Sequence, residues 1–164
     1  MTREALAEAT KPPRRLKLFN ANTKETFDGV YREGDVISAP AREALNHLLR
    51  DHHENETVAI DPALFDLIWN LQERYRAIGR GQVTINIHSG YRTKKTNDRL
   101  IPEGAAQSSL HLAGQAVDLT VQGYGIYLLG PQARRVATGG LGLYWADKFV
   151  HLDTGPRRFW YSRT

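Results

Sequence analysis

The 164-residue chain contains no cysteine and a single methionine. The missing cysteine excludes disulfides, thiol nucleophiles, thiolate zinc sites and iron–sulfur clusters together. It leaves the compartment open, because exported proteins also do without it. No apolar run approaches the roughly 18 residues needed to span a bilayer, and no apolar segment of signal-peptide length is visible. His-Glu-x-x-His is absent, which excludes the helical zincin arrangement. Gly-x-Ser-x-Gly is absent too, so Ser89 and Ser109 lack support as hydrolase nucleophiles. Acids are scarce late in the chain, where only Asp118, Asp147 and Asp153 occur from Ala105 to Thr164.

What is present describes one globular domain. Hydrophobic residues make up 41% and charged residues 24%, ordinary values for a folded protein. A chain near this length buries about 70% of the surface its unfolded form exposes, so a core forms without staples. The formal charge of +4 favours anionic partners, cell-wall polymers among them. The basic clusters Arg14, Arg15, Lys17 and Lys94, Lys95 carry no interleaved aromatics, so nucleic-acid binding is not expected. Residues 1–13 read as an N-terminal lead and linker, and residues 14–164 as the domain.

Leu16 and Leu18, then Val30 and Tyr31, lie in two short stretches around turn residues and predict a hairpin. Pro40 opens a helix with a Leu45, Leu48, Leu49 stripe. Asp61 and Pro62 open a second one, in which Leu64, Leu67, Ile68, Leu71, Tyr75 and Ile78 recur at helical spacing, with Gly79 at its end. His47, His52 and His53 fall in or after the first helix at spacings that do not gather them as ligands. Val83, Ile85 and Ile87 alternate as a strand does. Strands are also expected at Gln115–Val121, Leu141–Trp145, Phe149–Asp153 and Phe159–Tyr161. A helix from Tyr124 to Ala137 is expected to be interrupted near Gly130-Pro131. Gly139, Gly140 and Gly142 read as a turn entering a strand or as a close backbone approach to substrate. Helices early and strands late favour α+β, an antiparallel sheet with helices on one face.

Two segments carry chemistry. In the first, Val117, Leu119 and Val121 share one face of a strand, and Ala116, Asp118 and Thr120 share the other. A central aspartate is costly unless paired or bound to a cation. Small Gly114 and Ala116 let a loop carrying His111 fold back toward it. In the second, Val150 and Leu152 face the core, while Phe149, His151 and Asp153 face away. Adjacent strands would put His111, Asp118 and His151 together, a donor set that zinc accepts with a fourth position open. On parity alone the alternatives stay open: His111 caps a loop, or Asp118 pairs with an arginine.

Ser109, His111, Gly114, Ala116 and Asp118 fit Ser-x-His-x-x-Gly-x-Ala-x-Asp, and Ser89-Gly90-Tyr91-Arg92 precedes them. Gly139-Gly140-Leu141-Gly142-Leu143-Tyr144, Phe149-Val150-His151-Leu152-Asp153-Thr154-Gly155 and Arg158-Phe159-Trp160 follow. In these motifs the chain resembles the zinc D-Ala-D-Ala carboxypeptidase and murein endopeptidase group, and most of all the murein endopeptidase K-like branch, from about Arg15 to the C-terminus. The resemblance implies a hedgehog/D-Ala-D-Ala metallopeptidase-like fold. It also implies one zinc per chain, on His111, Asp118 and His151, and hydrolysis of peptidoglycan crosslinks that involve D-amino acids. It further implies substrate contacts from Arg92 and Ser109, and Tyr91, Tyr144 and Trp145 are expected to wall the groove or pack in the core. The substrate implies a periplasmic or otherwise extracytoplasmic site, with an export signal expected upstream. Many relatives carry an acid three residues before the last histidine as general base. Here Lys148 stands there, so Asp153, and after it Asp147, is the expected base. The competing activities are a D,D-carboxypeptidase, a zinc-containing but inactive cell-wall-binding module, and a metal-free interaction domain.

Overall fold

The computed structural model describes residues 11–162; the Met1–Thr10 lead lies outside them. Strands β1 (Arg14–Asn20) and β2 (Thr26–Glu33) form the expected hairpin, and β3 (Val36–Ile37) adds a short edge. Helices α1 (Ala39–Leu48) and α2 (Pro62–Ala77) follow. Ser38 caps α1 by accepting from the Ala41 N–H, and Asp61 caps α2 by accepting from the Ala63 N–H, each with proline in the first turn, where a missing N–H costs nothing. Then come β4 (Ile85–Ser89), α3 (Lys94–Leu100), β5 (Ala116–Val121), α4 (Ile126–Val136), β6 (Gly140–Tyr144), β7 (Phe149–Asp153) and β8 (Arg158–Ser162). No helix among the described residues is long and apolar enough to cross a membrane.

The eight strands form one sheet in the order β3-β2-β1-β4-β5-β7-β6-β8. The sheet is mixed and not the antiparallel one expected, since β1 with β4 and β6 with β8 run parallel. Between β1 and β4 the chain passes through β2, β3, α1 and α2, which supplies the crossover that a parallel neighbour requires. At the other end β8 passes beyond β7 to pair with β6.

Alternate strand residues build the core. Val117, Leu119, Val150 and Leu152 are fully buried against Leu129 and Ala133 of α4 and the apolar stripe of α2. Burying each of the larger side chains contributes about 1.5–3 kcal/mol. Helices α1, α2 and α4 supply this face, whereas α3 contributes nothing to the apolar core and borders the opposite side of the sheet. Helix α4 continues through Pro131 and is not interrupted. Pro131 is exposed, so the carbonyl it leaves unbonded faces water. Gly130, buried on the opposite side, faces Leu143.

Candidate metal centre

Registry assembles the site. Ser89 pairs with Asp118, Asp118 with His151, His151 with Gly142, and Gly142 with Trp160, so one row crosses five strands on the face away from the helical core. Directly opposed side chains stand about 4.5–5.5 Å apart at Cβ, which sets Asp118 against His151. His111 arrives from the short turn Leu110–Ala113, whose first residue is capped by Ser109 accepting from the His111 N–H. Gly114 closes that turn at φ +64 and lies against Val58 and Ala59, a conformation and a fit that only glycine meets easily.

The three side chains converge atom by atom. His151 Nδ1 lies 2.9 Å from Asp118 Oδ1, His111 Nε2 lies 3.3 Å from the same oxygen, and the two nitrogens are 3.3 Å apart. Ligands about 2.0–2.1 Å from a tetrahedral zinc stand roughly 3.3 Å from one another, so the triangle has the size such an ion needs. The outer nitrogens are already committed. His111 Nδ1 donates to the Gly90 carbonyl at 2.6 Å, and His151 Nε2 donates to Asp153 Oδ2 at 2.9 Å. With the ring protons held there, the inner atoms are three lone-pair donors facing one another. A shared cation, metal or proton, is what such a group binds. This is the one group of three metal-ligating side chains found among the described residues.

The charges around it agree. Burial pushes the His111 imidazolium pKa down, which favours the neutral, ligating ring. Burial also opposes charge on His151, but Asp118 and Asp153 outweigh it and the net shift is upward. Burial alone would raise Asp118, yet the two histidines hold it far below the usual carboxylate range. Arg92 adds an ion pair to Asp118 Oδ2 and donates from Nε to Ser89 Oγ at 2.8 Å. One carboxylate oxygen is thereby tied back and the other is left for the cluster.

Asp153, expected as the base, is 0% exposed. Its Oδ1 accepts from the Gly140 and Gly155 N–H groups at 2.8 and 2.9 Å, and its Oδ2 accepts from His151 and from Arg158 Nη2 at 2.7 Å. The carboxylate is buried behind His151, with every side occupied. Asp147 instead lines a groove of about 640 Å³ that holds His111, Asp118 and His151, and it is exposed with no partner among the described residues. Arg92, Ser109 and Tyr144 line the same groove. Tyr91 does not; it packs against the apolar core and borders neighbouring hollows. Trp145 packs on the core beside Tyr127.

Sequence reasoning left three groove residues without a role. Glu103 lines the groove and has no partner among the described residues. Trp160 lies 5.2 Å from the His151 ring and donates from Nε1 to the Tyr144 hydroxyl. Its indole covers Gly142, where a Cβ would fall 2.5–2.7 Å from ring atoms. Arg158 grips Asp153 and lies 5.2 Å from the Trp160 ring. The strand parity of Arg158 and Trp160 was a usable signal; Glu103, in a short turn, gave none. Gly139 leads into β6, as expected of a turn, and Gly140 and Gly142 lie close against Asp153 and Trp160.

A family description of peptidoglycan L,D-endopeptidase MepK matches residues 8–160. The chain belongs to that metallopeptidase family. It is 34% identical over 154 residues to the peptidoglycan L,D-endopeptidase MepK of Escherichia coli strain K12, covering 93% of this chain and 82% of that protein. It is 32% identical to the probable peptidoglycan L,D-endopeptidase MepK of Haemophilus influenzae, with 93% and 81% covered. The MepK family implies a metal cofactor, and the His111–Asp118–His151 cluster is the candidate site for it.

Proposed function

We propose that this protein is a zinc-dependent peptidoglycan endopeptidase that hydrolyses a peptide crosslink involving a D-amino acid, and that it acts outside the cytoplasm, where that substrate lies. The observation that carries the reading is the convergence of His111 Nε2, Asp118 Oδ1 and His151 Nδ1 within 3.3 Å, with both outer ring nitrogens already bonded. Family membership supports the substrate class. Zinc held by these three side chains supplies Lewis-acid chemistry, polarising the scissile carbonyl and acidifying water.

The other residues divide the remaining work. Asp153 fixes the His151 ring and its tautomer, as partners of metal-ligating histidines do. Its burial and full set of donors leave it no lone pair for water. Asp147, free at the groove wall, takes the proton from the attacking water and returns it to the leaving amine. Arg92 holds Asp118, and its uncommitted Nη1 is available to the carbonyl oxygen as charge develops there. Tyr144 and Phe149, stacked with centroids 4.4 Å apart, and Trp160 form an apolar wall for the peptide. Ser109 shapes the turn that presents His111.

Zinc-loaded and chelator-stripped protein incubated with defined crosslinked muropeptides, with products identified by mass, tests the reading. One new amine should appear per cut, and only with metal. Asp147→Asn should keep zinc and lose at least about 100-fold in kcat. If Glu103→Gln shows that loss and Asp147→Asn does not, the base is Glu103. Metal-loaded protein that retains peptidoglycan yet releases no amine is the inactive binding module.

A further inference from the structure

Asp61, the cap of α2, is bonded to three separate segments. Its Oδ1 accepts from the Ala63 N–H at 2.9 Å, which starts the helix. Its own N–H donates to the Gly114 carbonyl at 3.0 Å, and Gly114 closes the turn that presents His111. Its Oδ2 accepts from the Thr154 hydroxyl at 2.7 Å, and Thr154 directly follows β7, the strand of His151. Gly114 and Thr154 each lie three residues beyond a ligand histidine.

Capping explains only the first of these bonds, because a cap needs one side-chain oxygen. The second oxygen and the backbone N–H serve something else. The residues before Asp61 point the same way. Val58, Ala59 and Ile60 lie so close to Gly114 that a Cβ there would fall 2.9–3.3 Å from them. The exits of the His111 turn and of β7 also meet each other. The Thr154 N–H donates to the Gln115 carbonyl at 3.0 Å, and the Leu110 side chain lies against Gly155. Residues 58–61 therefore touch both exits at once. His111 is held from its other side as well: its carbonyl accepts from the Arg92 N–H, its ring bonds to the Gly90 carbonyl, and the Tyr91 N–H donates to Leu49 at the end of α1. His151 has no second tie of that kind to a helix end among these bonds. Pairing of β7 with β5 ends at Asp153, and Thr154 is the first residue beyond it.

We propose that Asp61 is a positioning residue for the metal cluster: through Gly114 and Thr154 it sets the spacing of His111 and His151, and with it the affinity of the site for zinc. The inference rests on the metal-centre reading above. It gives the helical layer a part in the site, since a bound ion requires its ligands to be held within about 0.5 Å.

Thr154→Val tests it. The variant removes the hydroxyl, leaves the Asp61–Ala63 cap untouched, and leaves Asp61 Oδ2 to water, because both residues are only half-buried. Zinc affinity, measured by competition with a chelator, should fall by about 3–10-fold. That is less than the 10–100-fold typical for direct partners of ligand histidines, because Thr154 acts one bond further out. Cobalt(II) bound in place of zinc should show an altered visible spectrum, which follows ligand geometry. Thr154→Ser restores the hydroxyl and should return both readouts to wild type. Asp61→Asn still caps, and its amide can donate to the Thr154 oxygen, so it should stay within about twofold of wild type. In metal-free Thr154→Val the Asp61 and Gln115 amides should exchange faster with solvent, while the melting temperature stays that of the wild-type protein. Unchanged zinc affinity and cobalt spectrum in Thr154→Val, or no recovery in Thr154→Ser, overturns the proposal. A drop in metal-free melting temperature that accounts for the zinc loss overturns it too, because the effect would then be on the fold. Wild-type protein that takes up no zinc would remove the metal reading, and the exchange result alone would then uphold or overturn the brace.

Discussion

The two ends of the sheet use charge in opposite ways. At the β1–β2 end several charged side chains point to water and pair there. Arg15 meets Asp28 at 3.0 Å with both side chains more than 40% exposed, and Lys11 meets Asp35 in similar exposure. Such pairs contribute about 0–1 kcal/mol. At the β5–β7–β6 end the sheet is covered on both faces, and Asp118, His151 and Asp153 are buried in it. Buried charge costs several kcal/mol per ion unless paired in good geometry. There each carboxylate has a histidine and an arginine: Asp118 has Arg92, and Asp153 has Arg158. The difference teaches where chemistry sits. The sheet gathers its most buried charges at the candidate metal site, while pairs at its β1–β2 end stay in water.

The comparison breaks most completely at the ligands. His151→Ala should abolish zinc binding and reduce muropeptide cleavage by more than about 10³-fold while most of the fold survives, because the apolar core lies on the other face of the sheet. Metal analysis and circular dichroism check this together, and normal zinc content would sink the assignment. The next effect is at Asp153. Its Oδ1 accepts from two backbone N–H groups, so in Asp153→Asn the amide oxygen takes that place and the NH2 group turns toward His151 Nε2. The ring proton then moves to Nδ1, the atom that faces the cluster. Zinc affinity should fall by about 10–100-fold, measured by competition with a chelator. Unchanged affinity with a collapsed kcat would return Asp153 to the role of base.

A smaller effect is expected at Gly142. In Gly142→Ala the new methyl group meets the Trp160 indole, and overpacking of this kind costs about 1–3 kcal/mol. Chemical denaturation measures the loss, and Trp160 fluorescence should change with it. The smallest effect belongs to the open end. Glu25 is held at about 2 first by its hydrogen bond from Arg50, with Thr23 and His47 adding to it. Its folded pKa lies below the unfolded value of about 4.3, so the stability it contributes is present above that value and lost as pH falls toward 2. The side chain is more than a third exposed, so solvent screening limits Glu25→Gln to about 1 kcal/mol or less at pH 7. The difference from wild type should vanish on acidification; a difference constant down to pH 2 would mean that packing, and not charge, is responsible.

Much of this was legible in the residues. The α2 stripe and its Asp61-Pro62 start read directly, because capping and 3.6-residue periodicity are local. Parity placed Asp118 and His151 away from the core, because side-chain direction in a strand follows from sequence position. The parallel pairs were not legible, since nothing in β1 or β8 states which strand will lie beside it. The break assigned to Gly130-Pro131 failed because proline is tolerated where its missing hydrogen bond faces water and the opposite side is packed. Asp153 shows a related limit. Parity gave its face and its distance along β7 correctly, but parity is silent on depth, and the donors that saturate it come from Gly140, Gly155 and Arg158.

The sequence by itself determined the ligand types, their strand faces and the resemblance that carries the substrate class, all properties of residues near one another in the chain. Only the tertiary structure decided which atoms converge. His111 and His151 are 40 residues apart, and the packing of the Leu110–Ala113 turn against β7 sets their inner nitrogens 3.3 Å from each other. Sheet registry buries Asp153 and bonds it to the His151 ring. Burial and hydrogen-bond saturation depend on segments that meet only once the sheet is built.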